Sequence, residues 1–555
     1  MSSEEAGPVT SSRRDRLLVD RFEWVLLAAL SALALSVLAG LLLRTIVKGG
    51  YVTGGDGFLV VDPLQYLNWL RQSGNHIAAA NLYDFAPLRY SFVHPGNLAA
   101  GIANRLGLGL VASYALFKPV AVASLFVGVG LLVHRHLGRR SDRRLALAVA
   151  LFFCAPTAAI GGWTLDHSSN AKISLDFAGG ELWTGSYLWG YVFTAIAVGL
   201  VPVGLLAYER GRCGRNRRSL VIAATCALFA GWLQPWQGAT LICVVVLAEL
   251  QRLRSKDRTA AAAVGDLAPI VLAGLLPLVY YLLLSRLDPA WELAGTANQI
   301  DRWPLWILIV TILPLAAPAA LAYRRGNWGD FGSVALRVWP LVGLVIYFAP
   351  IGTFPFHALQ GVQYPLAVLA VISWRSWLGG RKLPVVSAIV AALLLIVPGT
   401  IYRVDQIRNA VNFGVQPFFL TDDEHAALEF LDTSSGSGGV VTENYLATVI
   451  PAYTGRQTFL GAGSWTPNFD LRRDLLAELF AGQLGARSAR QLLVRPGAGY
   501  LLDTCRANPK FFEDVSQFTT VVWKRGCVTV LRIEGAPPLG GKQPALPPLN
   551  GPPPK

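Results

Sequence analysis

The stretch WVLLAALSALALSVLAGLLLRTI, residues 24–46, carries a single charge, at Arg44, and as a helix is long enough to cross about 30 Å of hydrocarbon. The chain of 555 residues is 53% hydrophobic and only 15% charged, with a mean hydropathy of +0.45. Because soluble domains contain about 25% charged residues, we expect a polytopic membrane protein. The predicted spans are 24–46, 113–133, 145–162, 187–208, 264–285, 303–323, 338–348, 361–377 and 384–402.

A further apolar stretch, at 219–250, is too long for one helix and short for two full spans. The sequence GWLQPWQG at 231–238 interrupts it, and Pro235 cannot continue the backbone hydrogen-bond ladder. Because basic residues flank the stretch on both sides, we interpret it as a re-entrant pair of short helices whose tip lies at depth in the protein. Counting this broken pair, the sequence predicts a bundle of about 11 transmembrane helices.

The formal net charge of +14 comes from Arg and Lys clusters between the apolar stretches. The clusters that share one side of the predicted topology are 13–21, 135–144, 210–218, 252–258, 324–337 and 375–382. By the positive-inside rule this side is cytoplasmic, and such clusters explain the charge without a nucleic-acid partner. We therefore predict a multi-pass protein of the cell membrane, surrounded by membrane lipids, with a cytoplasmic N-terminus that carries no cleavable signal. The predicted outer loops are 47–112, 163–186, 286–302 and 349–360.

After residue 402 the composition becomes that of a soluble domain. Thr421 and Glu424 form a capping-box pattern, and GGVVTEN and GYLLDTC are typical of short buried strands. The predicted fold class is therefore mainly α, a transmembrane bundle with a C-terminal extracytoplasmic α/β domain. The predicted segments are a cytoplasmic tail at 1–22, the bundle at 23–402 with its outer loop at 47–112, the α/β domain at 403–535 and a Pro-rich disordered tail at 536–555.

The six cysteines lack the CxxC spacing that is typical of structural zinc and iron–sulfur sites. Cys505 and Cys527 are the only two in the predicted outer domain. On the oxidising side of a membrane they predict a disulfide, although two separate buried thiols are the alternative.

Two acids follow the first span, Asp56 and Asp62, in GGDGFLVVDPLQYLNWLRQSG at 54–74. One interpretation of Asp62 is a helix N-cap, because the following segment is amphipathic, with Tyr66 and Trp69 on one face. The other is a general base, because a low dielectric at the membrane surface raises the pKa of a carboxyl group. Both interpretations can hold together. Asp56 lies in a glycine-rich turn and is either a helper or a turn residue.

Polar side chains at membrane depth are costly unless they are paired or line a wet cavity. For two groups of such residues, a cavity or lipid-headgroup site and hydrogen bonding between helices both remain open. The first group is Gln234, Trp236 and Gln237 in GWLQPWQG, and the second is His357, Gln360 and Gln363 in PFHALQGVQYP. His94, which precedes a proline, either caps a turn or has a functional role.

The outer loops contain further candidates for the binding of a sugar or a phosphate. The acidic and imidazole side chains of the second outer loop, either solvated or near a sugar site, are Asp166, His167, Asp176 and Glu181. The basic residues that either hold a phosphate or contact headgroups and backbone are Arg89, Lys172, Arg286 and Arg302.

The order of these motifs resembles a known family. The first span and its acidic loop are followed by DPLQYLNWLRQSG, NLYDF and HPGNL, and then by a second span after GLGLVASYALFK. The sequences LQPWQG, FHALQGVQYPLAVLA and IPAYTGRQTFLGAGSWTPNFDLRRD extend the pattern toward the C-terminus. Although each motif is short, together they resemble the bacterial members of the GT-C superfamily of integral-membrane glycosyltransferases over most of the chain.

The resemblance implies transfer of a hexosyl or pentosyl group from a polyprenyl-phosphate sugar donor to a hydroxyl of a cell-envelope glycan, lipid or protein acceptor. Asp62 matches the catalytic acid of the family, and Asp56 is the second choice. The substrate-binding candidates are Tyr66, His94, Gln234, Trp236, Gln237, His357 and Gln363. The tightly spaced acid pair of the family is missing, so metal dependence stays open, with a divalent metal as the candidate cofactor.

Two other functions fit the same composition. A transporter or flippase of lipid-linked sugars could line its path with the same buried polar groups, but transporters often show two halves with matching broken helices, and this chain shows one broken pair. A non-catalytic membrane scaffold could present the outer domain, but it would not need polar residues at depth.

Overall fold

The computed structural model describes residues 19–540 and 546, except for 167, 215, 255–258, 298–301, 326–327, 350–353, 379–383, 412–416 and 495. Most of the predicted cytoplasmic tail and most of the predicted disordered tail therefore lie outside the described residues, as does His167. The described chain is a mainly α-helical bundle followed by a small domain with a β-sheet, so the predicted fold class is confirmed.

The bundle is built from helices that follow one another closely along the chain. Its first helices are α1 (Arg21–Lys48), α2 (Val61–His76), α3 (Pro95–Ala103), α4 (Leu110–Ala115), α5 (Phe117–His136), α6 (Arg140–Phe152), α7 (Pro156–Thr164), α8 (Asn170–Glu181), α9 (Thr184–Gly190) and α10 (Val192–Gly214). The later ones are α11 (Arg217–Leu233), α12 (Pro235–Arg254), α13 (Ala260–Leu287), α14 (Pro289–Ala297), α15 (Leu305–Arg325), α16 (Phe331–Phe348), α17 (Gln363–Trp377) and α18 (Val385–Ala410). Within the described residues, nine helical segments are long and apolar enough to cross a membrane, and they coincide with the predicted spans.

The broken pair consists of α11, with 17 residues, and α12, with 20 residues. The chain breaks at Gln234, whose backbone is extended, directly before Pro235, as the sequence predicts. The Gln234 Nε2 donates to the Thr194 Oγ1 at 3.4 Å. Because Thr194 is the third residue of α10, the tip of the pair lies near one end of that helix.

Ion pairs connect the arginine-rich helix ends on one face of the bundle. Arg140 contacts Asp20, before α1, at 2.6 Å. Arg135, at the end of α5, contacts Glu209 at 2.8 Å and Asp330 at 3.0 Å. The ends of α5 and α10 and the start of α16 therefore meet there. We call this the arginine face, and we call the opposite face, which carries the C-terminal domain, the domain face.

The C-terminal domain is built around a four-stranded sheet, in which the strands lie in the order 439–442, 498–504, 528–533 and 519–525. Its elements, with a two-stranded ribbon formed by β1 and β2, are β1 (Tyr51–Val52), β2 (Phe419–Leu420), α19 (Asp422–Thr433), β3 (Gly439–Thr442), α20 (Asn444–Ala447), α21 (Ile450–Thr454), α22 (Phe469–Phe480), α23 (Ala486–Leu493), β4 (Ala498–Thr504), α24 (Pro509–Val515), β5 (Thr519–Arg525) and β6 (Val528–Ile533). The pair β3 and β4 is parallel, and the other pairs are antiparallel. Thr421 and Glu424 form the predicted capping box of α19. Cys505 and Cys527 form a disulfide between the end of β4 and the turn before β6.

The loop after α1 attaches the C-terminal domain to the bundle. Strand β1, from this loop, pairs with β2, which precedes the domain. Farther along the loop, the Arg472 guanidinium of α22 donates to the Asp84 carboxylate and to the carbonyl oxygen of Phe459, both at 2.8 Å. The Gln457 Nε2 donates to the carbonyl oxygens of Asp84 and Ala86. The domain is therefore fixed on the bundle by buried polar contacts as well as by apolar packing.

Neutralising the buried carboxylate of Asp84 should loosen this attachment. The Asp84→Asn substitution keeps a hydrogen-bond acceptor but removes the charge opposite Arg472, whose side chain is only 5% exposed. We expect a loss of about 2 kcal/mol in the free energy of unfolding, the usual strength of a hydrogen bond to a charged group. Thermal unfolding and limited proteolysis of the purified protein would measure the change. Asp470→Asn is the control, because Asp470 is 81% exposed and should contribute less than about 1 kcal/mol; equal effects of the two substitutions would contradict the role of Asp84.

Candidate active site

Asp62 lies on the domain face in the first turn of α2. The helix begins at Val61, and the residue in the N-cap position is Val60, which makes no side-chain capping bond. The N-cap interpretation of Asp62 is therefore wrong. The carboxylate is instead held from another part of the bundle, because the Tyr191 hydroxyl, between α9 and α10, donates to the Asp62 Oδ2 at 2.7 Å.

The surroundings of Asp62 favour a carboxyl group that can exchange a proton. The side chain is half-buried, so it keeps some access to open space. Burial raises its pKa above the ordinary value, while the Tyr191 hydrogen bond and the nearby His357 act in the opposite direction. A carboxylate with a raised pKa is a stronger base at neutral pH than an ordinary surface aspartate.

His357 and Glu181 form a second polar group next to Asp62. The His357 Nδ1 lies 3.1 Å from the Glu181 Oε2 and 3.0 Å from the Gln360 Nε2. The His357 side chain is 25% exposed, and its Nε2 has no hydrogen-bond partner among the residues that the structure describes. Glu181 also acts electrostatically on Tyr191, the residue whose hydroxyl binds Asp62.

The amide of Gln237 supports the segment that carries His357. Its Nε2 donates to the carbonyl oxygens of His357 at 3.2 Å and Gln360 at 3.3 Å. This contact connects the broken pair to the 3-10 turn Pro355–Leu359 before α17. The sequence left two interpretations open for Gln237, a cavity site or hydrogen bonding between helices. The contacts of its amide are hydrogen bonds between segments of the bundle. Gln237 supports the backbone of His357, and its own side chain is fully buried.

The remaining substrate-binding candidates have different surroundings. The Gln234 amide contacts α10, as described above, and Trp236 is half-buried against the apolar core. Gln363 is fully buried at the start of α17. The Tyr66 ring lies 6.4 Å from the Tyr191 ring and 6.1 Å from that of Tyr114, so it packs against the tyrosine that binds Asp62.

The sequence left open whether His94 caps a turn or has a functional role, and in the structure it is a helix cap. Its Nδ1 accepts a hydrogen bond from the backbone N–H of Asn97 at 3.1 Å and thereby caps α3. The ring is buried, and burial lowers its pKa to about 4, while a contact with the backbone of Leu233 acts in the opposite direction. His94 is thus a neutral group at neutral pH that connects the loop to the end of α11.

Asp56 occupies a position quite different from that of Asp62. Its side chain is 2% exposed and lies 2.5 Å from the Nζ of Lys118, on α5, which is equally buried. Lys118 also donates to the carbonyl oxygens of Ala34 at 3.1 Å and Leu188 at 2.7 Å. Burial raises the pKa of Asp56 to about 6, while the contact with Lys118 acts in the opposite direction. Such a group joins four parts of the bundle but has no open side for a substrate.

Two of the remaining loop candidates make local contacts away from the site. Asp176 accepts hydrogen bonds from the Tyr402 hydroxyl at 2.7 Å and from the Gln406 Nε2 at 2.9 Å, and so connects α8 to α18. Arg302 donates to the carbonyl oxygens of Tyr347 and Ala349. Of the roles predicted for it, a phosphate contact or a contact with headgroups and backbone, it therefore has a backbone contact.

Within the described ranges, no group of three or more His, Cys, Asp or Glu side chains is close enough to hold a metal ion. Asp62 and Glu181 supply two carboxylates beside His357, but these side chains do not form a preformed ligand set of the kind that divalent metals require. The described residues therefore do not fit a prebuilt metal centre.

Two residues of the site region were missed from the sequence. Tyr191 stands in the aromatic run GSYLWGYVF, where nothing distinguishes it from packing residues. Lys118, by contrast, carried a usable signal, because an isolated lysine in a transmembrane segment is expected to have a partner.

Comparison with solved structures identifies the class of fold. The Archaeoglobus fulgidus oligosaccharyltransferase in its apo form matches with a TM-score of 0.51 at 12% identity, over 87% of this chain and 69% of that chain. The same enzyme in complex with zinc and sulfate matches with a TM-score of 0.51 at 13% identity, over 88% and 69%. ArnT from Cupriavidus metallidurans bound to undecaprenyl phosphate gives a TM-score of 0.46 at 13% identity, over 94% and 100%.

At such low identities these matches bear on the fold alone. The protein shares its fold with the Archaeoglobus fulgidus oligosaccharyltransferase, and this fold agrees with the predicted helical bundle with a small C-terminal domain. No family model matches the sequence, and no curated protein matches it.

Proposed function

We propose that this protein is a membrane glycosyltransferase that moves a hexosyl or pentosyl group from a polyprenyl-phosphate donor to an acceptor hydroxyl, with Asp62 as the general base. The acceptor is a cell-envelope glycan, lipid or protein. The observation that carries the proposal is the position of Asp62, half-buried on the domain face, bound by Tyr191 and adjacent to His357. This arrangement supports a carboxylate that is fixed in place and still reachable by a substrate.

The chemistry requires little more than these groups. The acceptor oxygen forms a bond to the anomeric carbon of the sugar while the bond from that carbon to the phosphate oxygen breaks. The proton of the acceptor hydroxyl passes to the Asp62 carboxylate, and the electron pair of the broken bond leaves with the polyprenyl phosphate. Because the phosphate is already a good leaving group, a positioned base and hydrogen-bond donors to the phosphate supply most of the catalysis.

His357 is the proposed contact of the donor phosphate. Its Nδ1 faces Glu181 and Gln360, which orients the ring, and its Nε2 has no partner within the described residues. The Glu181 carboxylate only accepts hydrogen bonds, so the Nδ1 proton of His357 points to it, and a doubly protonated imidazole then also donates from Nε2 to a phosphate oxygen. In this proposal Glu181 and Gln237 are positioning residues, because both act through His357.

The orientation in the membrane is also part of the proposal. The arginine face is cytoplasmic under the positive-inside rule, which places the C-terminal domain outside the cell. The disulfide between Cys505 and Cys527 supports this orientation, because such bonds persist in oxidising compartments. The domain boundaries and the two terminal tails remain predictions from the sequence.

This orientation predicts the outcome of reporter fusions. Alkaline phosphatase needs an oxidising compartment to become active, so a fusion after Glu534, at the end of the domain, should be active. A fusion after Arg254, at the arginine-face end of α12, should be inactive in the same host. Enzyme activity normalised to the amount of fusion protein is the measurement. Activity of the Arg254 fusion with an inactive Glu534 fusion would reverse the topology.

A transfer assay tests the proposed function itself. Purified protein in liposomes would receive radiolabelled polyprenyl-phosphate sugars, with cell-envelope fractions as acceptors, in the presence and absence of a chelator. We expect the label to move from the lipid fraction to the acceptor fraction. If the label stays on the lipid with every donor but crosses the bilayer, the protein is a flippase and the proposal fails.

A further inference from the structure

Three tryptophans from three different elements meet at the junction of the bundle and the C-terminal domain. Trp69 comes from α2, Trp291 from α14, and Trp465 from the 3-10 turn Gly463–Trp465 of the domain. The Trp69 and Trp291 rings are nearly parallel, with centroids 6.1 Å apart. The Trp465 ring stands almost perpendicular to both, at 5.4 Å and 5.0 Å. We call Trp69, Trp291 and Trp465 the tryptophan surface.

The tryptophan surface is continuous with the candidate active site. Tyr66 lies one helical turn before Trp69, and their ring centroids are 5.8 Å apart. Tyr66 in turn contacts Tyr191, whose hydroxyl binds Asp62. A ligand that lies on the tryptophan surface can therefore extend along Tyr66 to the proposed base without leaving aromatic contact.

A ligand can reach the indoles of Trp291 and Trp465 more readily than that of Trp69, which is only 7% exposed. The N–H of a buried tryptophan normally finds a partner, as those of Trp189 and Trp232 do on carbonyl oxygens at 2.7 Å and 3.1 Å. None of the three indole N–H groups of the tryptophan surface donates to a residue in the described part of the chain, and none of these nitrogen atoms is sealed from solvent. Trp291 and Trp465 are also only half-buried.

The carboxylates next to Trp291 in the chain, Asp288 and the exposed Glu292, disfavour an anionic ligand. Asp288, the carboxylate closest to Trp291 on the N-terminal side, already accepts hydrogen bonds from the Ser91 hydroxyl and from the backbone N–H of Ala290. Trp465 belongs to the C-terminal domain, and the Asn81 Nδ2 donates to its carbonyl oxygen at 2.8 Å, which fixes its backbone against the loop after α1. Flat apolar rings with free N–H donors match a sugar, whose ring has apolar C–H faces and a hydroxyl rim.

We propose that Trp291 and Trp465, supported by Trp69, bind a sugar ring of a neutral oligosaccharide acceptor while another hydroxyl of that acceptor reaches Asp62. This inference rests on the proposed function and narrows it, because it selects a glycan from the three acceptor classes. The ring stacks on the exposed parts of the indoles, and the indole N–H groups donate to its hydroxyls.

Oligosaccharide binding without turnover is the test. Full-length Asp62→Asn protein in lipid nanodiscs would be titrated with neutral mannan, galactan, arabinan and glucan fragments, with a mixed peptide library as a competitor. Each Trp→Ala substitution, at Trp291 or at Trp465, should weaken the binding of the preferred fragment about tenfold, as the loss of one aromatic stacking contact implies. Trp291→Phe should recover most of the affinity. Trp306→Ala, at a 48% exposed tryptophan of α15, is the matched control and should change nothing.

The outcomes separate this inference from the proposed function. Binding of a fragment that depends on Trp291 and Trp465 supports it. If no fragment binds, if binding ignores both substitutions, or if peptides displace the fragment, the inference is overturned. Transfer from a polyprenyl-phosphate donor to a lipid or peptide by the parent protein would then still support the glycosyltransferase. A parent protein that binds the fragments but transfers no sugar would support glycan binding by the tryptophan surface and contradict the proposed function.

Discussion

The Asp62→Asn variant is expected to transfer sugar about 10²–10⁴ times more slowly than the parent protein, which is the usual contribution of a positioned general base. Asparagine keeps the size of the side chain and can still accept the Tyr191 hydrogen bond, which spans 2.7 Å in the parent protein. It cannot take the proton of the acceptor. The initial rate of transfer from a radiolabelled donor, with equal amounts of each protein in liposomes, measures the effect.

Asp405→Asn is the matched control, because Asp405 is an exposed aspartate near the domain-face end of α18. It should transfer at the parental rate. The pH dependence gives a second readout. The base must be deprotonated, so the rate should fall as the pH falls through the pKa of Asp62, and burial places that pKa above the ordinary aspartate value. An Asp62→Asn variant with the parental rate and the parental acid limb would exclude Asp62 as the base.

The Lys118→Met variant is expected to show the largest loss of stability, about 3–5 kcal/mol in the free energy of unfolding, as for other buried ion pairs that lose one partner. Methionine fills a similar volume but leaves the Asp56 carboxylate, 2% exposed, without a cation. The carbonyl oxygens of Ala34 and Leu188 also lose their donor. Thermal unfolding in detergent, followed by size-exclusion chromatography, measures the loss.

The double substitution Asp56→Asn with Lys118→Met separates the charge effect from the packing effect. Removing both charges should restore part of the stability, because the uncompensated buried charge is gone. Lys48→Met is the control, since Lys48 is exposed at the end of α1. A Lys118→Met protein as stable as the Lys48→Met protein would show that the ion pair contributes nothing to the fold.

The sequence predicted the bundle well because each span is a local pattern. Length and hydropathy locate the nine segments, and Pro235 locates the break between α11 and α12. These features need no knowledge of which helices are neighbours. The same holds for the capping box of α19, which depends on two side chains three residues apart.

The sequence could predict the site only in part, because the site is assembled from distant segments. Asp56 and Asp62 look alike in sequence, and only the partner of each distinguishes them: a buried lysine on α5 for one, and a tyrosine hydroxyl between α9 and α10 for the other. The contact between Glu181 and His357 likewise joins residues that are far apart in the chain. Propensity and periodicity carry no information about such pairs.

The most direct test of the central claim is a single-turnover reaction with protein in excess over a radiolabelled polyprenyl-phosphate sugar, because it separates donor binding from chemistry. The parent protein should bind the donor and pass its sugar to the acceptor. Asp62→Asn protein should bind the same donor with similar affinity, and the sugar should stay on the lipid. Transfer by the Asp62→Asn protein at the parental rate would contradict the claim that Asp62 is the base of a glycosyl transfer.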